Sequence, residues 1–173
     1  PTISPSSNVN ASSLLTCSAT GNDADDGSLT PTYTWTASGG ATSTGATWQL
    51  DPSLISGTET ITCTASVIDG NGAIASSTSS SVTVTNMPPT STGVSIGPSS
   101  GVVTGSTLSC SAGFNDSEDG SLTPTYDWTV GGNSVSNGTI FTVTSANTDV
   151  GDSVVCTASV TDSDGNTVTD TVS

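Results

Sequence analysis

The groups in this sequence that could do chemistry are almost all carboxylates. Nine of its 15 acidic side chains fall in short Gly-containing segments. These hold Asp23, Asp25, Asp26 and Asp69 in the first half of the chain, and Asp116, Glu118, Asp119, Asp162 and Asp164 in the second. Segments of the form Asp-x-Asp-Asp-Gly and Asp-x-Asp-Gly-Asn supply hard oxygen ligands in irregular loops, the donor set that calcium accepts from carboxylates, Asn side chains and backbone carbonyls. The same residues also favour ordinary Asx and left-handed turns. Calcium is the expectation here because a turn needs one Asp, not four, although the spacing is not that of an EF-hand loop.

What is missing narrows the alternatives. The chain has no Lys, Arg or His, and its formal net charge is −15. Without an imidazole or an ammonium it cannot assemble a Ser-His-Asp, Cys-His or Ser-Lys centre, so no enzyme is expected. A pair of carboxylates could in principle hydrolyse a glycoside, but nothing in the pattern favours that. A surface with no cations does not neutralise phosphates or bind anionic lipid, which excludes nucleic acid and polybasic membrane attachment as partners. The four Cys, in a polar chain rich in Ser and Thr, read as disulfides made in an oxidising compartment, and the expected location is extracellular, at a cell surface. No signal peptide or transmembrane run occurs within these residues.

The elements that carry these groups are written twice. Cys110 and Cys156 each stand 93 residues after Cys17 and Cys63. The same offset lays the stretch from Asn22 to Trp35 onto that from Asn115 to Trp128. A period this long fits a string of separately folded domains better than a solenoid. The expected organisation is one domain over 1–85, a Pro-containing linker over 86–93 and a second domain over 94–173 whose last strand is incomplete. Pro88 and Pro89 end the preceding strand and stiffen the join. The chain reads as a window on a longer array.

Helix formers are scarce, while Thr, Val and Ser runs broken by Gly, Asn and Asp read as short strands. Alternation picks out inward faces at Leu15, Cys17 and Ala19; Tyr33 and Trp35; Trp48 and Leu50; Ile61, Cys63, Ala65 and Val67; and Val82 and Val84. The second copy repeats them at Leu108, Cys110 and Ala112; Tyr126 and Trp128; Phe141 and Val143; and Val154, Cys156, Ala158 and Val160. The expected class is all-β, two tandem sandwiches.

The order Cys, Trp, Cys along successive strands resembles the immunoglobulin superfamily. Ile61 and Val154 stand where antibody-type domains carry a Tyr, so the sequence is more similar to the Ig-like, cadherin-like and PKD-like repeats of microbial surface proteins. That resemblance implies an intradomain disulfide between strands B and F in each copy, Cys17 with Cys63 and Cys110 with Cys156. It also implies that the two acidic loops of each copy emerge at one end. An ion held by Asp116, Asp119 and Asp162, with Asn86 or a linker carbonyl as an added ligand, would then lock one domain against the next.

The expected function is a structural repeat of an extracellular fibre or stalk on a microbial cell surface, its partners being further copies of the repeat or neighbouring subunits. An adhesin module, or accessory domains of a secreted hydrolase, are the alternatives. An open sheet edge in the second copy could accept a neighbour's strand, with continuation into a next repeat as the plainer account. Asn10, Asn115 and Asn137 satisfy the N-glycosylation pattern, which arises often by chance in so Ser/Thr-rich a chain. Trp48 and Phe141 could stack on sugars, but their register makes them core residues.

Overall fold

A computed structural model describes residues 1–173. It contains strands and no helix, and it divides into two units, Pro1–Met87 and Pro88–Ser173.

In the first unit β1 (Thr2–Ser4), β3 (Leu14–Ser18) and β8 (Thr47–Gln49) form one sheet. The facing sheet runs in the order β2 (Val9–Asn10), β11 (Val82–Thr85), β9 (Thr60–Ile68), β6 (Thr32–Ala37), β7 (Thr42–Thr44), with β10 (Ile74–Thr78) also pairing β9. A separate ribbon joins β4 (Gly21–Asp23) to β5 (Gly27–Leu29). Strict alternation in β3, where Leu15 and Cys17 point in and Leu14, Thr16 and Ser18 point out, gives one wet and one dry face. The core gathers Val9, Leu15, Trp35, Leu50, Ile55, Ile61, Val82 and Val84 around the Cys17–Cys63 disulfide.

The second unit repeats the plan. One sheet holds β12 (Thr90–Gly97), β13 (Thr107–Asp116), β14 (Gly120–Leu122) and β17 (Ile140–Thr142). The other runs β16 (Asn133–Asn137), β15 (Thr125–Val130), β18 (Val154–Thr161), β19 (Thr167–Val172). Leu108, Trp128, Phe141 and Val143 pack around Cys110–Cys156. Both disulfides cross between sheets with Cα atoms 6.4 and 6.5 Å apart. The molecule is therefore two β-sandwiches, each stapled through its middle.

Polar groups inside are satisfied in the same way twice. The Trp35 and Trp128 indoles each donate to a backbone carbonyl, of Gly45 and Gly138, at 2.8 Å. The Tyr33 and Tyr126 hydroxyls each accept from a backbone N–H, of Ala19 and Ala112, at 3.1 Å. Trp48 lies 6.1 Å from Trp35 and Phe141 5.5 Å from Trp128, ring centre to ring centre, so both are core aromatics. On the outer faces hydroxyls pair across strands, as in Thr64 with Thr78 and Thr161 with Thr167.

Two boundaries depart from the sequence expectation. Strand β12 starts at Thr90, so residues 90–93, assigned to the linker over 86–93, belong to a sheet, where Thr90 pairs with Asn115 and Ser91 with Phe114. Strand β19 pairs with β18 along its whole length, from Thr167 opposite Thr161 to Val172 opposite Cys156.

Candidate functional site

Each acidic segment is first of all a turn that its own Asp holds closed. Asp23 Oδ1 accepts the backbone N–H groups of Asp25 and Asp26, at 2.8 and 3.0 Å. Asp116 Oδ1 does the same for Glu118 and Asp119, at 2.7 and 2.9 Å. Asp69 Oδ1 accepts from Asn71 and Ala73, and Asp162 Oδ1 from Asn166. Gly27 and Gly120 close these turns at φ values of 75° and 74°, in the left-handed region that residues with a Cβ rarely occupy.

The two loops of each unit meet. Asp26 Oδ2 accepts the Gly70 N–H at 2.8 Å in the first unit. In the second, Asp119 accepts the Ser163 N–H at 2.8 Å and the Ser163 hydroxyl at 2.9 Å. The structure thus brings Asp23, Asp26 and Asp69 to one end of the first sandwich, and Asp116, Asp119 and Asp162 to one end of the second. Asp25 and Asp164 stay exposed, and Glu118 is half-buried. Asn86 is half-buried just past β11.

The two ends differ in depth. Asp116 and Asp162 are buried, at 3 % and 7 % exposure, and they are the only buried charged residues of the chain. Asp23 and Asp69 are half-buried. In the second unit the strand itself carries the acidic end inward. Because residues 90–97 pair with β13, that strand runs unbroken to Asp116, and Phe114 and Asp116 both point inward from its end. Phe114 packs with Ala158 and Val160 in a small second cluster. The first unit has Gly21 at the equivalent position, where an added Cβ would meet Val67 Cγ1 at 2.6 Å, and β3 stops at Ser18.

Electrostatics follow from these bonds. The N–H groups of Asp26 and then Asp25 stabilise the ionised form of Asp23 and hold its carboxyl below the usual carboxylate range. Outside the acidic ends, the hydroxyl and then the backbone N–H of Ser53 do the same for Asp51. Asp116 presents the opposite problem. Its Oδ2 is enclosed and has no hydrogen-bond donor within reach. A buried, unmatched carboxylate oxygen costs free energy, and no side-chain cation exists in this chain to meet it. As placed, no three acidic side chains close on a common point.

The glycosylation candidates divide. Asn10 is half-buried and its side-chain oxygen accepts from the Ser12 N–H and the Ser13 hydroxyl, which commits it to a turn. Asn115 is exposed within β13, and the Asn137 amide donates to Asp127 Oδ1 at 3.0 Å. The burial of Asp116 was not visible in the sequence; the Phe at 114, two residues before it on the same strand face, is the one signal that could have shown it.

No protein family, curated protein or solved structure matches this chain. Fold and chemistry therefore define it on their own terms, as a tandem pair of disulfide-stapled β-sandwiches with acidic loop ends. The disulfides belong to a non-reducing environment. No helix is long and apolar enough to cross a membrane.

Proposed function

We propose that the two units are Ig-like repeats of an extracellular structural protein, a fibre or stalk at a microbial cell surface. The observation that carries this reading is duplication: one sandwich, one staple and one pair of tied acidic loops, built twice in the same register. Repetition of an independently folded unit gives length, and a disulfide in each gives resistance to unfolding. The test is where the protein is and how its thiols stand. Antibodies against the chain should label intact, unpermeabilised producing cells, and the surface material should contain no free thiol. Labelling only after lysis, or reduced cysteines in the recovered protein, would overturn it.

Calcium belongs to the same proposal, most strongly in the second unit. The enclosed and unmatched Oδ2 of Asp116 is the group a hard cation would relieve, with Asp119 and Asp162 on the loops beside it that would have to close on the ion. Glu118 and Asp164 stand on the same loops. Asp23, Asp25, Asp26 and Asp69 form the shallower counterpart. Bound there, the ion would supply positive charge that the chain itself lacks. Calcium added to chelator-treated protein should raise the melting temperature of the second unit, and Asp116→Asn should abolish that rise. An unchanged melt in the wild-type protein sinks the calcium proposal and leaves the structural one standing.

A further inference from the structure

The dipeptide Asn-Gly occurs twice in the chain, at Asn71-Gly72 and Asn137-Gly138. It is a reactive pair. Glycine has no Cβ to crowd its own backbone nitrogen, so that nitrogen can reach the carbonyl carbon of the preceding side-chain amide. Asn71 and Gly72 are exposed in the loop between β9 and β10. Asp69 holds that loop closed: its carbonyl accepts the Gly72 N–H at 3.2 Å, and its Oδ1 accepts the Asn71 N–H at 2.9 Å. The Asn71 side-chain amide has no hydrogen bond of its own.

Asn137 is exposed as well, but both of its reacting groups are pinned. Its amide donates to Asp127 Oδ1 at 3.0 Å and to the Ser136 carbonyl at 3.2 Å. The Gly138 N–H donates to the Tyr126 carbonyl at 3.1 Å, and the Gly138 carbonyl accepts from the buried Trp128 indole at 2.8 Å. Freeing this pair means parting β16 from β15 and taking a hydrogen bond from a core tryptophan, whereas freeing Asn71 means opening one turn at the surface. The second unit also shows the same loop with an acid already in place. Asp164 stands 93 residues after Asn71. Its turn is alike, with the Gly165 N–H donating to the Asp162 carbonyl at 3.2 Å and with Gly165 and Gly72 at φ values of 90° and 88°.

We propose that Asn71 is a self-modifying position, which converts to aspartate and isoaspartate without an enzyme. The Gly72 nitrogen gives up its proton to solvent and bonds to the Asn71 side-chain carbonyl carbon. The bond from that carbon to the amide nitrogen breaks, and the nitrogen leaves as ammonia. Water then opens the cyclic imide at one of its two carbonyls, giving aspartate at one and isoaspartate at the other. The sum is asparagine plus water to an acid plus ammonia, with nothing oxidised or reduced. Aspartate at position 71 gives the loop the Asp-x-Asp-Gly pattern of the second unit and raises the acidic residues at this end from four to five. Because ammonia is lost, the change does not reverse, and its extent grows with the age of the protein. It proceeds with or without an ion at either acidic end.

The test ages the folded 173-residue chain in mildly alkaline buffer with a chelator, and the reduced chain in urea beside it. Chymotryptic peptides are then read by electron-transfer mass spectrometry, which tells aspartate from isoaspartate. In the folded protein Asn71 should deamidate at least tenfold faster than Asn137, the factor that an added opening cost of about 1.4 kcal/mol imposes. In urea, where no fold pins either pair, the two should react at similar rates. Both isomers should form at position 71. Equal rates in the folded protein, faster loss at Asn137, or an Asn71 that reacts in urea but survives in the fold would each overturn the proposal. So would aspartate with no isoaspartate, since that product means direct hydrolysis in place of the imide.

Discussion

Removing one disulfide at a time tests whether the staples, rather than the cores, hold these units. Each bridge joins cysteines 46 residues apart. In the chain-entropy account, freeing a loop of that length adds roughly 13 cal/mol/K to the unfolded state, about 4 kcal/mol at room temperature. A unit of this size has a total stability of about 4 to 13 kcal/mol, so the loss is a third or more of it. The double substitutions Cys17→Ala/Cys63→Ala and Cys110→Ala/Cys156→Ala leave no buried thiol. Urea unfolding can be followed in each unit, since Trp35 and Trp48 report on the first and Trp128 on the second. With a denaturant slope of about 1 kcal/mol/M, the midpoint of the altered unit should fall by about 4 M while the other stays fixed. Because the loop lengths are equal, the two losses should agree despite different cores. A loss below about 1 kcal/mol in either unit, at unchanged slope, would refute the reasoning, as would losses that differ severalfold.

Other outcomes follow from single contacts. Trp128→Phe removes the indole N–H from the Gly138 carbonyl and should destabilise the second unit alone by about 1 to 3 kcal/mol in urea unfolding. Gly120→Ala should cost the second unit about 1 kcal/mol; its added Cβ meets nothing within 4 Å, so the whole effect is backbone strain, and Gly120→Asn should recover part of it in the same melts. The folded-state titration of Asp51 lies below its ordinary value of 3.8, so its stabilising effect is present above that value and disappears as pH falls through the lower one. Carbon-detected NMR should place the Asp51 midpoint under 3.8, and Ser53→Ala should move it upward. Trypsin should leave these 173 residues uncut even when reduced and unfolded, as a gel will show, because no Lys or Arg is present.

The fold was legible where the pattern is periodic. Alternation named Leu15, Cys17, Trp35, Ile61 and Cys63 as inward, and all five are buried; of their counterparts at 93 residues Leu108, Cys110, Trp128 and Cys156 are buried and Val154 is half-buried. The acidic loops were legible as a place but not as a geometry. Counting four or five carboxylates per end gives no sign that one oxygen of each hinge Asp is spent on its own turn. Nor does it show that Asp26 and Asp119 tie one loop to the other. The depth of Asp116 goes with Phe114, which stands where the first unit has Gly21, just outside the repeated motif. The linker estimate failed for a related reason: two prolines mark where a strand must stop, but not how soon the next one starts.

The paired hydroxyls on the outer sheet faces have a practical consequence. Thr2 with Ser18, Thr64 with Thr78, Ser95 with Ser111 and Thr161 with Thr167 make those faces a carpet of alcohols with no side-chain amine among them. Aldehyde fixatives and amine-directed labels, which depend on lysine, have nothing there to react with. On those faces the groups open to attachment are the serine and threonine hydroxyls themselves.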